Sequence, residues 1–249
     1  MSATAPVSWA ARLEHVREVT LRGEADADFW RARLAPLGHV PAERDGCAAM
    51  TIVAADAAFK GLRFREVSVS VEVSPPAFAG PSVGYASPAS FLLCAFSSRW
   101  LFALAERRLF GAPYAHAAVT VREALPAAIQ VVQDGIEVLH ASIGARVDAG
   151  PRSPTREGPE GWEGRVYLPP PRAGASIASS FFVARLQGIA RAYPFVDGDA
   201  FALRPRAGDD ALAAVVASGF APREWLVRPD AEHAKSRTCR ADRARLQAG

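Results

Sequence analysis

The chain has 249 residues, half of them apolar, and a net charge of +3. That length suits one large domain or two small ones, and the apolar share excludes broad disorder. The charge is no nucleic-acid signature, because the cations are nearly all arginines scattered along the chain, with their densest group at 235–245.

In chain order, residues 15–22 alternate as a short strand does. Residues 26–37 carry Phe29, Trp30, Leu34 and Leu37 at helical spacing, and Gly38 stops the pattern. A short apolar run at 48–55 predicts a strand. The clearest strand is 64–73, where Val67, Val69, Val71 and Val73 alternate with Ser68, Ser70 and Glu72 before Pro75 and Pro76 end it. The apolar stretch 83–96 contains Pro88, and its second half, 90–96, reads as a buried strand. Ser97 or Ser98 is placed to cap a helix running to Phe110, closed by Gly111 and barred from continuing by Pro113. Trp100, Leu101 and Leu104 are expected to be its core face.

Residues 115–122 predict a strand. Asp134-Gly135 between the apolar runs 128–133 and 136–141 predicts a hairpin. Residues 150–161 read as a polar loop, and 164–168 as a strand closed by three prolines. The run 181–192 fits a strand better than a helix. Residues 207–219 predict a helix, and the polar segment after Pro229 is expected to be helical or frayed.

Cys47, Cys94 and Cys239 stand far apart with no CxxC pair, so neither a zinc site nor a redox motif is expected. The start of the chain lacks a basic segment followed by an apolar run, and 91–104 is too short and polar to span a bilayer. Reduced thiols and a cytoplasmic location follow as expectations. The sequence has no GxGxxG, no phosphate-binding loop and no GxSxG elbow. No cofactor, metal, nucleic acid or membrane is therefore expected as a partner. Homo-oligomerisation stays open.

Many short strands and few helices predict a β-rich α+β domain, and closing the sheet would solve its edge problem. Three stretches bear a family resemblance. They are Gly61 followed by Phe64-Arg65-Glu66 and the valine strand, the helix ending Arg107-Arg108-Leu109-Phe110-Gly111-Ala112-Pro113, and the strand and hairpin beyond it. Together they resemble the acetoacetate decarboxylase superfamily, best over 60–143, plausibly back to Arg17, and diffusely after Pro151. The resemblance implies a closed or nearly closed antiparallel barrel or cone with a few flanking helices. It implies a single domain over 1–228, followed by a polar basic tail over 229–249.

In that family a lysine forms an imine with a substrate ketone, and a neighbouring lysine lowers its pKa. The matching positions here are Tyr114 and Ala115, so the resemblance implies a site without that amine. The family's acidic residue at the head of the valine strand matches Glu66. A second family glutamate falls near Met50 or Thr51, where no carboxylate stands. A substrate-binding arginine matches Arg17.

Tyr114 is then either a phenol aimed into a pocket or an ordinary half-buried tyrosine. His116 lies two residues on, so an extended strand points it to the same face; it is an acid–base partner or a structural hydrogen-bonder. Glu66 shares the parity of Ser68 and Ser70, facing either a polar lumen or solvent. Arg99 and Glu106, seven apart on the helix, form a solvated ionic face or a carboxylate-binding pair. Lys60 is a displaced imine lysine or, more simply, a surface lysine. Trp162 and Glu163 are placed to close over a cavity mouth. The expected function is a lyase-type or related enzyme with an internal pocket for a small carboxylated or keto substrate, working without an imine. A non-catalytic small-molecule-binding protein would use the same pocket.

Overall fold

The computed structural model describes residues 7–74, 89–144, 152–170 and 180–240. Strand β1 (Trp9–Asp26) leads into helix α1 (Ala27–Leu34), where the Asp26 carboxylate caps the Phe29 N–H at 3.0 Å. A 3-10 turn (Ala35–Leu37) ends at Gly38, whose φ of 76° only glycine adopts cheaply. Short strands β2 (Val40–Pro41) and β3 (Glu43–Arg44) precede the hairpin of β4 (Cys47–Phe59) and β5 (Leu62–Ser74). Strand β6 (Ala89–Ser97) is followed by helix α2 (Trp100–Ala105), a π-helical turn (Glu106–Phe110), β7 (Tyr114–His116) and β8 (Ala118–Arg122). The Asp134-Gly135 hairpin forms as predicted between β9 (Ala128–Gln133) and β10 (Ile136–Ser142), with positive φ at both turn residues. Strands β11 (Arg156–Tyr167), β12 (Ser180–Pro194) and β13 (Ala200–Leu203), helix α3 (Asp210–Ala217), and strands β14 (Ala221–Ser236) and β15 (Cys239–Arg240) complete the described chain.

Seven strands close a ring in the order β5-β4-β1-β14-β12-β11-β6, with β6 returning to pair with β5. The ring is antiparallel, as expected, except where β11 and β6 meet in parallel through a short pairing of Val166 with Ser90 and Tyr167 with Phe91; outside the ring, β7 also pairs with β6 in parallel. A second sheet, β13-β10-β9-β8, lies outside the ring. The main core fills the space between them. Val67, Val69, Val71 and Val73 of β5 and Val19 and Leu21 of β1 pack there with Ile129, Val131 and Leu139 of the second sheet and Leu212 and Val215 of α3. Each fully buried valine contributes roughly 1.5–3 kcal/mol relative to exposure. The alternate residues of the ring strands are therefore turned to its interior.

Five sequence expectations fail, each for a tertiary reason. Residue Arg156 onward is strand, not loop. Gly158, Pro159 and Gly161 are poor strand formers, yet β11 pairs with β12 from Arg156↔Ala192 to Tyr167↔Phe181. The described part of the segment after Pro229 is not helical, since β14 runs on to Ser236. Register shifts there mark bulges, where a proline costs no ladder hydrogen bond. Helix α2 is capped by neither serine. Arg99 occupies the cap position with no side-chain cap, while the Ser98 hydroxyl accepts the Arg65 N–H at 2.8 Å and ties the helix start to β5. Trp100 and Leu101 are exposed, because the short helix turns Ala103 inward and packs Phe102 on Phe64, with ring centroids 4.7 Å apart. The 115–122 strand also breaks at Ala117 into β7 and β8, which join different sheets. Residues 83–88, 150–151 and 241–249 of the sequence expectations lie outside the described residues.

Candidate functional site in the ring interior

Directly opposed residues on neighbouring strands share a face. Across the ring, Glu18 opposes Ala55 and Arg228, Ala55 opposes Glu66, and Tyr114 opposes Ala95, which opposes Ser68. On the other side, His233 opposes Leu186 and Lys235 opposes Ala184. Leu186 and Ala184 in turn oppose Trp162 and Gly164. Leu92, Ala95, Phe182 and Ala184 form an apolar cluster against which Phe110, Tyr114, Trp162 and Leu186 pack. One interior thus carries an apolar wall and two groups of ionisable side chains.

Bulges make this possible on β1 and β14. Register shifts occur in β1 between Leu13 and Val16 and between Val16 and Glu18, around His15, whose φ is 54°. Opposite them, β14 shifts between Val227 and Ala231. One extra residue reverses side-chain parity. Arg228, an even position, and His233 and Lys235, odd positions, therefore reach the same interior.

The first group centres on Glu66. The Tyr114 hydroxyl donates to Glu66 Oε2 at 3.1 Å. Glu106, at the start of the π turn, forms an ion pair with Lys235. The Lys235 ammonium also lies 4.1 Å from the Phe110 ring centroid and 4.2 Å from that of Phe182, so two ring faces favour its charge. Burial pushes the Glu66 carboxyl above its ordinary range, and the Glu106 charge adds to this. The charges of His233 and Lys235 and the Tyr114 hydrogen bond oppose it without reversing it. The Tyr114 phenol is driven well above 10 by burial, then by the Glu66 and Glu106 charges, so it remains a proton donor.

The second group centres on Glu18, which is wholly buried. It accepts from Thr20 Oγ1 at 2.6 Å, from Arg228 and from His233 Nε2, which lies 2.7 Å from its Oε2. Burial pushes this carboxyl up, but the His233 hydrogen bond and charge, Arg228 and Thr20 together outweigh it and hold the group at about 2. Arg228 reaches on to Glu160 at 3.6 Å, and Arg22 pairs with Glu160 at 2.6 Å. Arg22, Arg156, Gly158, Pro159 and Glu160 line a cleft of about 350 Å³.

Of the residues picked from sequence, the structure brings together Tyr114, Glu66 and Glu106, with Trp162 in the adjoining apolar wall. It does not bring His116, Arg17 or Arg99 to them. His116 is exposed on β7. Arg17 serves a different carboxylate, Asp56, at 3.1 Å, and Glu123 at 3.3 Å; Asp56 is also held by Arg63 at 2.8 Å and Arg65 at 3.1 Å. Arg99 donates to the Arg63 carbonyl at 3.0 Å. Lys60 is exposed at the β4–β5 turn, beside the Phe59 ring. Glu163 pairs with Arg185. Glu18, Arg228, His233 and Lys235 were missed. The only sequence signal was that Lys235 is one of just two lysines. Among the described residues, no cluster of three or more His, Cys, Asp or Glu side chains is arranged to hold a metal, and no helix is long and apolar enough to cross a membrane.

No family model matches the chain, and no curated protein matches it. Solved structures do. Acetoacetate decarboxylase from Legionella pneumophila aligns over 97% of this chain and 90% of its own, with a TM-score of 0.61 at 14% identity. This protein has the acetoacetate decarboxylase fold. An acetoacetate decarboxylase-like enzyme from Sphingomonas wittichii RW1 aligns over 97% of this chain and 98% of its own, at a TM-score of 0.58 and 15% identity. The enduracididine biosynthesis enzyme MppR, solved with pyruvate, covers 96% and 93%, at 0.59 and 14%. The acetoacetate decarboxylase fold thus extends over the region after Pro151, where the sequence resemblance was diffuse. The described interior contains one amine, Lys235, on a different strand from Tyr114.

Proposed function

We propose that this protein is a lyase-type enzyme acting on a small keto or carboxylated substrate inside the ring, without an imine at position 114. The observation that carries this reading is the Tyr114–Glu66 hydrogen bond beside the Lys235–Glu106 pair. A phenol and a carboxyl both shifted toward their protonated forms make a proton donor for a carbonyl or enolate oxygen. Lys235, paired with Glu106 and faced by two rings, offers an ammonium to a substrate carboxylate.

The test uses pyruvate, the ligand of one structural neighbour, and acetoacetate. Binding is read by thermal shift, and borohydride trapping is read by peptide mass spectrometry. Binding without a covalent adduct, with product formation lost in Tyr114→Phe, supports the reading. A trapped adduct on Lys235 or Lys60 overturns the imine-free mechanism. A second reading, a binding protein that turns nothing over, draws on the ion pairing of Glu18, Arg228, Glu106 and Lys235 with one another. Saturable binding with no consumption of either acid in proton NMR would favour it.

A further inference from the structure

The Tyr114–Glu66 pair supplies a proton donor, but proton transfer next to a carbonyl also needs an acceptor. The only histidine turned to the described interior is His233, and its surroundings fix its tautomer. Its Nε2 lies 2.7 Å from the Glu18 carboxylate, whose other contacts, Thr20 and Arg228, are also donors. A carboxylate fully occupied in accepting requires that Nε2 carry the imidazole hydrogen. In the neutral imidazole Nδ1 is then a bare lone pair. It has no hydrogen-bond partner among the described residues. The strand neighbours sharing its face are Leu13 on β1 and Leu186 on β12, with Trp162 beyond Leu186. Its partner Glu18 is separated from Glu66 only by Ala55 across the ring, so both groups belong to one interior.

From this geometry we propose that His233, oriented by Glu18, is the base that removes a proton from the carbon next to the substrate carbonyl. The proposal rests on the functional reading above. Glu18 touches no substrate and is a positioning residue. In the step, the C–H bond breaks, its proton passes to Nδ1, and its electron pair becomes the enolate double bond. The enolate oxygen takes a proton from the Tyr114–Glu66 pair. The Glu18 carboxylate stabilises the imidazolium that forms, as a carboxylate behind a catalytic histidine does. Reversal returns a proton to carbon and resets both groups. In D2O, deuterium appears in the substrate.

Two experiments test this. The first needs no ligand: long-range proton–nitrogen NMR of the histidines reads the tautomer of His233. The Nε2–H form is expected, and an Nδ1–H form overturns the proposal. The second follows deuterium entering the methyl group of pyruvate by proton NMR. The wild-type protein is expected to accelerate exchange above the buffer rate, and His233→Gln to lower the protein-catalysed rate at least tenfold. Glutamine keeps a donor for Glu18 but cannot take up a proton, so thermal unfolding of this variant should stay near wild type. Exchange that survives in His233→Gln but is lost in Tyr114→Phe overturns the base while sparing the proposed function. No exchange by the wild-type protein, with pyruvate bound, overturns His233 as a carbon-acid base and favours the binding-protein reading.

Discussion

Glu18 and Glu66 stand on strands two apart in one ring interior, with Ala55 between them. Burial pushes both carboxyls the same way, and they end shifted in opposite directions. Glu18 faces Arg228, His233 and Thr20, all donors, and is held ionised at about 2. Glu66 faces a single hydroxyl donor and the negative charge of Glu106, and is raised above 4.5. Depth of burial therefore does not decide protonation; the number and charge of the donors do. Two carboxyls whose titrations are pushed apart in one ring interior are the pattern that acid–base chemistry uses.

Breaking the Glu18 side should have the largest effect. Glu18→Ala leaves the buried Arg228 with only Glu160, 3.6 Å away, and should cost about 3–5 kcal/mol, the usual penalty for breaking a buried ion pair, read by urea unfolding. A loss below about 1 kcal/mol would mean that water reaches Arg228. Lys235→Met deprives Glu106 of its cation and should cost about 1–2 kcal/mol. It should also move the Glu66 titration further up, because Lys235 opposes the burial shift; carbon-13 NMR of the carboxyls reads this. Tyr114→Phe removes one hydrogen bond, about 1 kcal/mol, and should likewise raise the Glu66 titration.

Glu66→Gln sharpens the comparison through pH. A carboxyl whose folded pKa is raised above 4.5 costs stability once pH exceeds 4.5, because the folded state resists ionisation. The variant should therefore gain on the wild type as pH rises from 4 to 7. Glu18 has the opposite sign: its stabilisation is present above 4.5 and is lost as pH falls towards 2. Unfolding curves across that range separate the two, and a Glu66→Gln difference independent of pH would contradict the raised value. His116→Ala, at an exposed site, should change stability by less than about 0.5 kcal/mol and leave pyruvate exchange intact.

Local signals told the sequence reader where local physics decides. The valine alternation of β5 marked both its core face and the face of Glu66, because side chains alternate with strict period two. Gly38 and Asp134-Gly135 marked turns that demand positive φ. Tyr114 and Glu66 were singled out through the family resemblance, as positions matching the family's motif. Composition and alternation by themselves determined a β-rich domain and its main apolar faces.

The tertiary structure decided the rest, and the bulges show why. His233 and Lys235 follow Pro229 in a stretch that reads as a polar tail, since a proline and a run of charges look like the end of a domain. In the fold, that stretch is a ring strand, and its polar residues are buried because they meet partners more than one hundred residues away, Glu18 for His233 and Glu106 for Lys235. The extra residues at the bulges reverse side-chain parity, so no count along the chain predicts which of them face inward. Arg17 and Glu18 make the same point in one step: adjacent on β1, they face opposite sides, and the ring's closure alone determined which side became the interior.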